Sequence, residues 1–332
     1  MSAVITRASR PTLSVVVPCY NEEDSLQELC KRLRGVCEGC VDSFEIVLVD
    51  DGSSDRTWAG ICALIAETAT VVGIKLSRNH GHQLALSAGL SVARGERILI
   101  IDADLQDPPE LLPQMLRLMD EGVDVVYGQR TSRAGESALK RGTAALFYRV
   151  LDRLTDVKIP VDTGDFRLLS RRALEVLTSM PEQNRFIRGM VSWIGLRQEP
   201  LAYERAQRFT GETKYPLSKM IRFAIDAITG FSMRPLRIAS YLGFSFSLAT
   251  VALMAYILIN YFIGYTVSGW TSLALIILAV SSVQFVLMGV MGEYLGRLYI
   301  EAKRRPLFIV QDVVASPELT TTLHPEQTAS AK

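Results

Sequence analysis

The chain has 332 residues, a net charge of +1, an isoelectric point near 7.6 and a mean hydropathy of +0.20 with 48% hydrophobic residues. That length suits one large or two modest domains, and the near-neutral charge gives no sign of a nucleic-acid binder. The apolar excess is concentrated toward the C-terminus, where Ile238 to Gly292 contains no Asp, Glu, Lys, Arg or His.

Met1 to Pro11 is short and polar and lacks the apolar core of a signal peptide; it is expected to be a flexible N-terminus, 1–11. Leu13-Ser14-Val15-Val16-Val17-Pro18 reads as a buried strand ended by proline, with an amphipathic helix from about Ser25 to Cys37 after it. Glu45-Ile46-Val47-Leu48-Val49 is a second strand closing in Asp50-Asp51-Gly52-Ser53-Ser54-Asp55, where Ser54 or Asp55 can cap a helix running toward Ala66. Val71 to Leu76 is a third strand and Gly81 to Ala93 a third helix. The five cysteines, Cys19, Cys30, Cys37, Cys40 and Cys62, all fall in this first fifth, and their odd number favours reduced thiols.

Ile98-Leu99-Ile100-Ile101 is a fourth strand, and Asp102-Ala103-Asp104 stands where it ends. Alternation along an extended chain would point Asp102 and Asp104 to one side. Apolar strands that alternate with helices, but not in polarity, predict a parallel sheet covered on both faces. Such sheets bind ligands beyond the carboxyl ends of their strands, and here Tyr20/Glu22, Asp50/Asp51 and Asp102/Asp104 end three of them. G-x-G-x-x-G and G-x-x-x-x-G-K-[ST] are absent, which removes the main support for a nicotinamide dehydrogenase or a P-loop NTPase. Paired carboxylates suit a hard divalent cation.

Leu111 to Met119 reads as a helix, Asp124 to Gly128 as a strand leading to Gln129-Arg130, and Thr143 to Leu154 as a helix after a basic, small-residue stretch. Asp162-Thr163-Gly164-Asp165-Phe166-Arg167 is expected to precede a strand, with a helix starting at Ser170. Gln183-Asn184-Arg185-Phe186 is polar, and Gly211 to Pro216 looks like a hinge. Leu217 to Thr229 has the pattern of a helix lying in a membrane interface. Two spans are expected at about 238–265 and 272–295. Arg234, Arg237, Arg297, Lys303, Arg304 and Arg305 flank the hairpin and predict that both of its ends face the cytoplasm. The histidines of His80-Gly81-His82 are read as loop or helix-start residues.

Pro18-x-Tyr20-Asn21-Glu22, Val49-Asp50-Asp51-Gly52-Ser53 and Asp102-Ala103-Asp104-Leu105-Gln106-Asp107-Pro108-Pro109 together resemble the inverting family 2 glycosyltransferases of GT-A fold. Within that family the chain is most similar to the polyprenyl-phosphate glycosyltransferases. The resemblance implies an α/β GT-A domain over 12–210, an interfacial segment over 211–235, a membrane hairpin over 236–298 and a cytoplasmic tail over 299–332, polar and without structure from Ala315 on. It implies donor contacts from Pro18, Tyr20, Glu22, Asp50, Asp51, Asp102, Ala103 and Arg208, and a Mg²⁺ or Mn²⁺ site at Asp102, Asp104 and Gln106. Arg130 and Arg141 would hold the lipid phosphate, and Asp165 with Asp104 would serve catalysis, Asp165 as a base or a positioning group. The implied partners are a nucleotide-sugar donor (UDP-glucose first), undecaprenyl phosphate, the bilayer of a bacterial inner membrane and other copies of the chain, as a tetramer.

Overall fold

The computed structural model describes residues 10–131, 160, 163–204, 234–263 and 269–316. The expected helix over 143–154, the hinge at 211–216, the interfacial segment at 217–229, Arg141 and Arg208 lie outside them.

The chain divides into two units, the first of which is built on one eight-stranded sheet. Its strands are β1 (Leu13–Cys19), β2 (Phe44–Asp50), β3 (Val71–Leu76), β4 (Arg97–Ile100), β5 (Val125–Arg130), β6 (Thr163–Ser170), β7 (Gln198–Tyr203) and β8 (Val310–Ala315). Their order across the sheet is β7-β5-β6-β4-β1-β2-β3-β8. Four adjacent strands, β4, β1, β2 and β3, are parallel, β1 pairing with both β2 and β4, and β2 with β3. The helices α1 (Leu26–Glu38), α2 (Thr57–Glu67), α3 (His82–Val92) and α4 (Leu112–Asp120) alternate with β1 to β5. On α1 the buried residues Leu26, Leu29, Cys30, Leu33 and Cys37 recur at helical spacing, so one stripe packs inward.

The sheet is mixed rather than parallel. β6 runs antiparallel to both β4 and β5, and β8 runs antiparallel to β3. The segment expected to precede a strand is itself the strand: β6 begins at Thr163 and carries Asp165 and Arg167 buried within it. Polar residues hid it, because a run such as Thr-Gly-Asp-Phe-Arg lacks the apolar pattern by which strands are recognised. Ser170 then caps α5 (Arg171–Ser179), its hydroxyl accepting from Ala173 N at 3.1 Å. Two further elements had no sequence expectation: α6 (Ile187–Ile194) and the edge strand β7, where Pro200 is tolerated.

At the end of the sheet opposite the acidic loops, a buried polar network closes the structure. Glu45 accepts from Ser14 Oγ at 2.6 Å and from Arg94 N, Nε and Nη2 at 2.7–2.9 Å. Those charges are satisfied within the fold, which leaves chemistry to the other rim.

The second unit contains α7 (Arg234–Ile263) and α8 (Trp270–Lys303). Within them, Leu236–Asn260 and Ala279–Lys303 are long and apolar enough to cross a membrane, with mean hydropathies of 2.1 and 1.2. Large apolar side chains such as Phe244, Phe262 and Phe285 are more than two-thirds exposed, a surface suited to lipid. After α8 the chain contributes β8 to the sheet, so the segment expected as a tail over 299–332 includes a strand that ends at Ala315.

Candidate active site

Parallel pairing fixes the rim. Cys19 stands opposite Asp50, and Val16 opposite Ile100, so the loops after β1, β2 and β4 leave the sheet together. The antiparallel register of β4 with β6 pairs Leu99 with Leu168 and Ile100 with Arg167. Continued two residues further, it brings Asp165 opposite Asp102. Side-chain oxygens of Asp102 and Asp165 and a ring nitrogen of His82 lie within 4.8 Å of one another.

Asp165 is buried, and both of its oxygens are engaged. Arg188 Nε donates to Oδ1 at 2.8 Å; His82 Nε2 and Gln83 Nε2 each lie 3.1 Å from Oδ2. Burial pushes this carboxyl up, yet Arg188 and His82 outweigh it and hold the group well below the usual carboxylate range. His82 opens α3, as expected. Burial lowers its imidazole, but the Asp165 hydrogen bond and the Asp102 and Asp165 charges raise it to about 9. Asp102 is pushed up to about 6 by burial, against the pull of His82. Its Oδ1 is buried without a hydrogen bond, 3.5 Å from His82 Nε2.

Asp104 is placed differently from the expectation. β4 ends at Ile100, and Asp104 lies in a turn whose next residue, Leu105, has φ of +60°. Strand alternation therefore does not align the two carboxylates. Asp104 Oδ1 instead accepts from Gln106 N at 3.1 Å, the local turn bond that Asp favours. The turn leads into a short 3₁₀ helix, Pro109–Leu111, tied to α1 by a two-pronged bond from Arg32 to Glu110 at 3.0 and 2.8 Å. Ala103 is buried inside the turn.

The neighbouring loops interlock. Asp50 is fully buried: its Oδ1 accepts from Ser53 N at 3.0 Å, while Oδ2 is buried without a hydrogen bond. Asp51 accepts from His80 N at 2.7 Å and Gly81 N at 2.9 Å, so it anchors the loop after β3. Between these loops Gly52 has φ of +67°, and a Cβ there would stand 2.4 Å from the Arg78 carbonyl carbon; only glycine fits. Glu22 accepts from Ser25 Oγ at 2.7 Å, and its N–H donates to Thr57 Oγ1 at 2.9 Å. Pro18 lies in β1, and Tyr20, just beyond the strand, is 47% exposed on the rim. Arg130 ends β5; its Nε donates to Tyr203 Oη at 3.4 Å.

The structure thus joins Asp102 to Asp165 and adds His82, Gln83 and Arg188, none of which was a candidate. Arg188 belongs to a helix without a sequence expectation and lies 23 residues from its partner. No local pattern announces such a pair.

Residues 14–178 match the glycosyl transferase family 2 model. The chain is 46% identical over 90% of its length to YkcC of Bacillus subtilis, a relative named as a glycosyltransferase, and covers 93% of it. It is 39% identical to a prophage bactoprenol glucosyl transferase homolog of Escherichia coli, over 91% of this chain and 99% of that one. The bactoprenol glucosyl transferase of Shigella phage SfV is 38% identical, over 90% and 98% of the two chains. The chain belongs to glycosyl transferase family 2. This glycosyltransferase has an α/β fold with a mixed sheet, and the acidic strand ends form its rim.

Proposed function

We propose that this glycosyltransferase moves glucose from UDP-glucose to a polyprenyl phosphate, undecaprenyl phosphate being the expected carrier, with inversion at the anomeric carbon. The names of the relatives support the sugar and the lipid. The observation that carries the chemistry is the convergence of Asp50, Asp102 and Asp165 at one rim, with two buried carboxylate oxygens that accept no hydrogen bond. An oxygen kept dry and unused is what a hard divalent cation or a ligand N–H would occupy. The unused Asp102 oxygen fits a cation ligand, and Asp104 and Gln106, in the loop that follows it, are assigned as the other two.

When bound, Mg²⁺ or Mn²⁺ would neutralise charge gathering on the departing diphosphate. Pro18, Tyr20, Glu22, Asp50, Asp51 and Ala103 line the nucleoside side, and Arg208 reaches the diphosphate. Arg130 and Arg141 hold the acceptor phosphate with forked guanidinium bonds. An acceptor oxygen attacks the glucose anomeric carbon, the bond to UDP breaks, and UDP leaves with its electron pair. The acceptor is already anionic near neutral pH, so no strong base is needed. Asp165 acts as a positioning group, because both of its oxygens already accept from donors. The enzyme works beside a bacterial inner membrane, with both termini and the catalytic domain on the cytoplasmic side and the two long helices as its anchor, assembled as a tetramer.

Purified full-length protein with radiolabelled UDP-glucose and undecaprenyl phosphate should yield labelled lipid. Parallel reactions with a UDP-amino sugar and GDP-mannose rank the donors, and no labelled lipid from any of them refutes the proposal. Chelation with EDTA should abolish transfer, and added Mn²⁺ or Mg²⁺ should restore it. Undiminished transfer in EDTA would remove the cation from the reading.

A further inference from the structure

Tyr203 closes β7 directly opposite Arg130 on β5. Its ring is 5% exposed and meets Phe166 edge to face, with centroids 5.7 Å apart. The hydroxyl donates to Asp107 Oδ1 and accepts from Arg130 Nε at 3.4 Å. Asp107 is fully buried and lies in the loop that carries Asp104 and Gln106. One phenol therefore touches both the cation loop and the arginine assigned to the acceptor phosphate. Arg130 Nη2 passes over Gly164, where an added Cβ would come within 2.7 Å of it, so this glycine leaves the guanidinium its room.

We propose that Tyr203 is a positioning residue that fixes Arg130 relative to the cation loop through Asp107, and so sets the distance between the donor and acceptor phosphates. This rests on the function proposed above. Transfer between two phosphate-bearing groups needs a defined approach, and an arm as flexible as arginine loses much of its freedom on binding. A hydrogen bond at Nε pays part of that loss in advance and leaves Nη1 and Nη2 for phosphate oxygens. Burial and the Asp107 charge push the phenol above its ordinary value, which keeps it a neutral donor.

Tyr203→Phe keeps the ring packing and removes only the hydroxyl. It should raise the KM for undecaprenyl phosphate by about 3–10-fold, the scale of one lost hydrogen bond, and leave the KM for UDP-glucose within about twofold. KM does not depend on the folded fraction, so a less stable variant still reports. In an Arg130→Lys background the same change should have little further effect, because Tyr203 would act through the missing Nε bond. An unchanged lipid KM in Tyr203→Phe, or fully additive effects with Arg130→Lys, overturns the inference while the function stands. A wild-type enzyme that makes no lipid-linked glucose overturns both.

Discussion

Replacing Asp104 with alanine is expected to lower glucosyl transfer by about 10²–10³-fold, the loss typical of removing one group aimed at developing charge. The side chain is half-buried and shapes its turn through Gln106 N, so part of its contribution is local geometry. Asp104→Asn separates the two roles. The amide oxygen can still accept from Gln106 N, but it is a weaker ligand for a hard cation. Activity of Asp104→Asn should therefore stay low and need far more Mn²⁺ for half-maximal rate, with thermal unfolding in detergent close to wild type. Wild-type metal dependence in Asp104→Asn would remove this residue from the cation site.

The second large effect is expected at Arg188. Asp165 is buried against β4, and Arg188 supplies two bonds to it, from Nε at 2.8 Å and Nη2 at 3.3 Å, while Nη1 holds Thr163 O at 3.0 Å. Arg188→Ala leaves a buried carboxylate short of its main cation. Breaking such a pair from one side costs about 3–5 kcal/mol, and the remaining His82 and Gln83 bonds should keep this case near the lower figure. Adding Asp165→Asn removes the stranded charge and should restore a large part of the stability, measured by denaturant unfolding, without restoring transfer. Equal stability of Arg188→Ala and wild type would mean that the pair is not worth its burial.

The central strands could be read from the chain because each is an unbroken apolar run, and parallel strands necessarily bring their carboxyl ends to one rim. Asp50 and Asp102 followed from that geometry alone. The membrane-length helices followed from a stretch free of charge, which few water-soluble folds tolerate. β6 was harder: Asp165 and Arg167 are buried in a strand, and the groups that stabilise Asp165 come from α3 and α6. Such compensation is invisible locally. The turn at Asp104 depends on Leu105 at positive φ, a conformation its side chain does not advertise. β8 is short and carries Asp312, and its only reason to be a strand is the open edge of β3.

That edge has a consequence for how the molecule is made. β3 emerges early from the ribosome, whereas β8 appears only after both long apolar helices have been synthesised. At about 5–20 residues per second, the growing chain exposes an unpaired strand for some tens of seconds. Exposed edges recruit other chains, and a lysine on them is a common deterrent. Lys75 sits on β3 in register with Asp312 of β8. The edge that is open during synthesis thus carries a lysine, and the strand that finally covers it sets a carboxylate at the same register position.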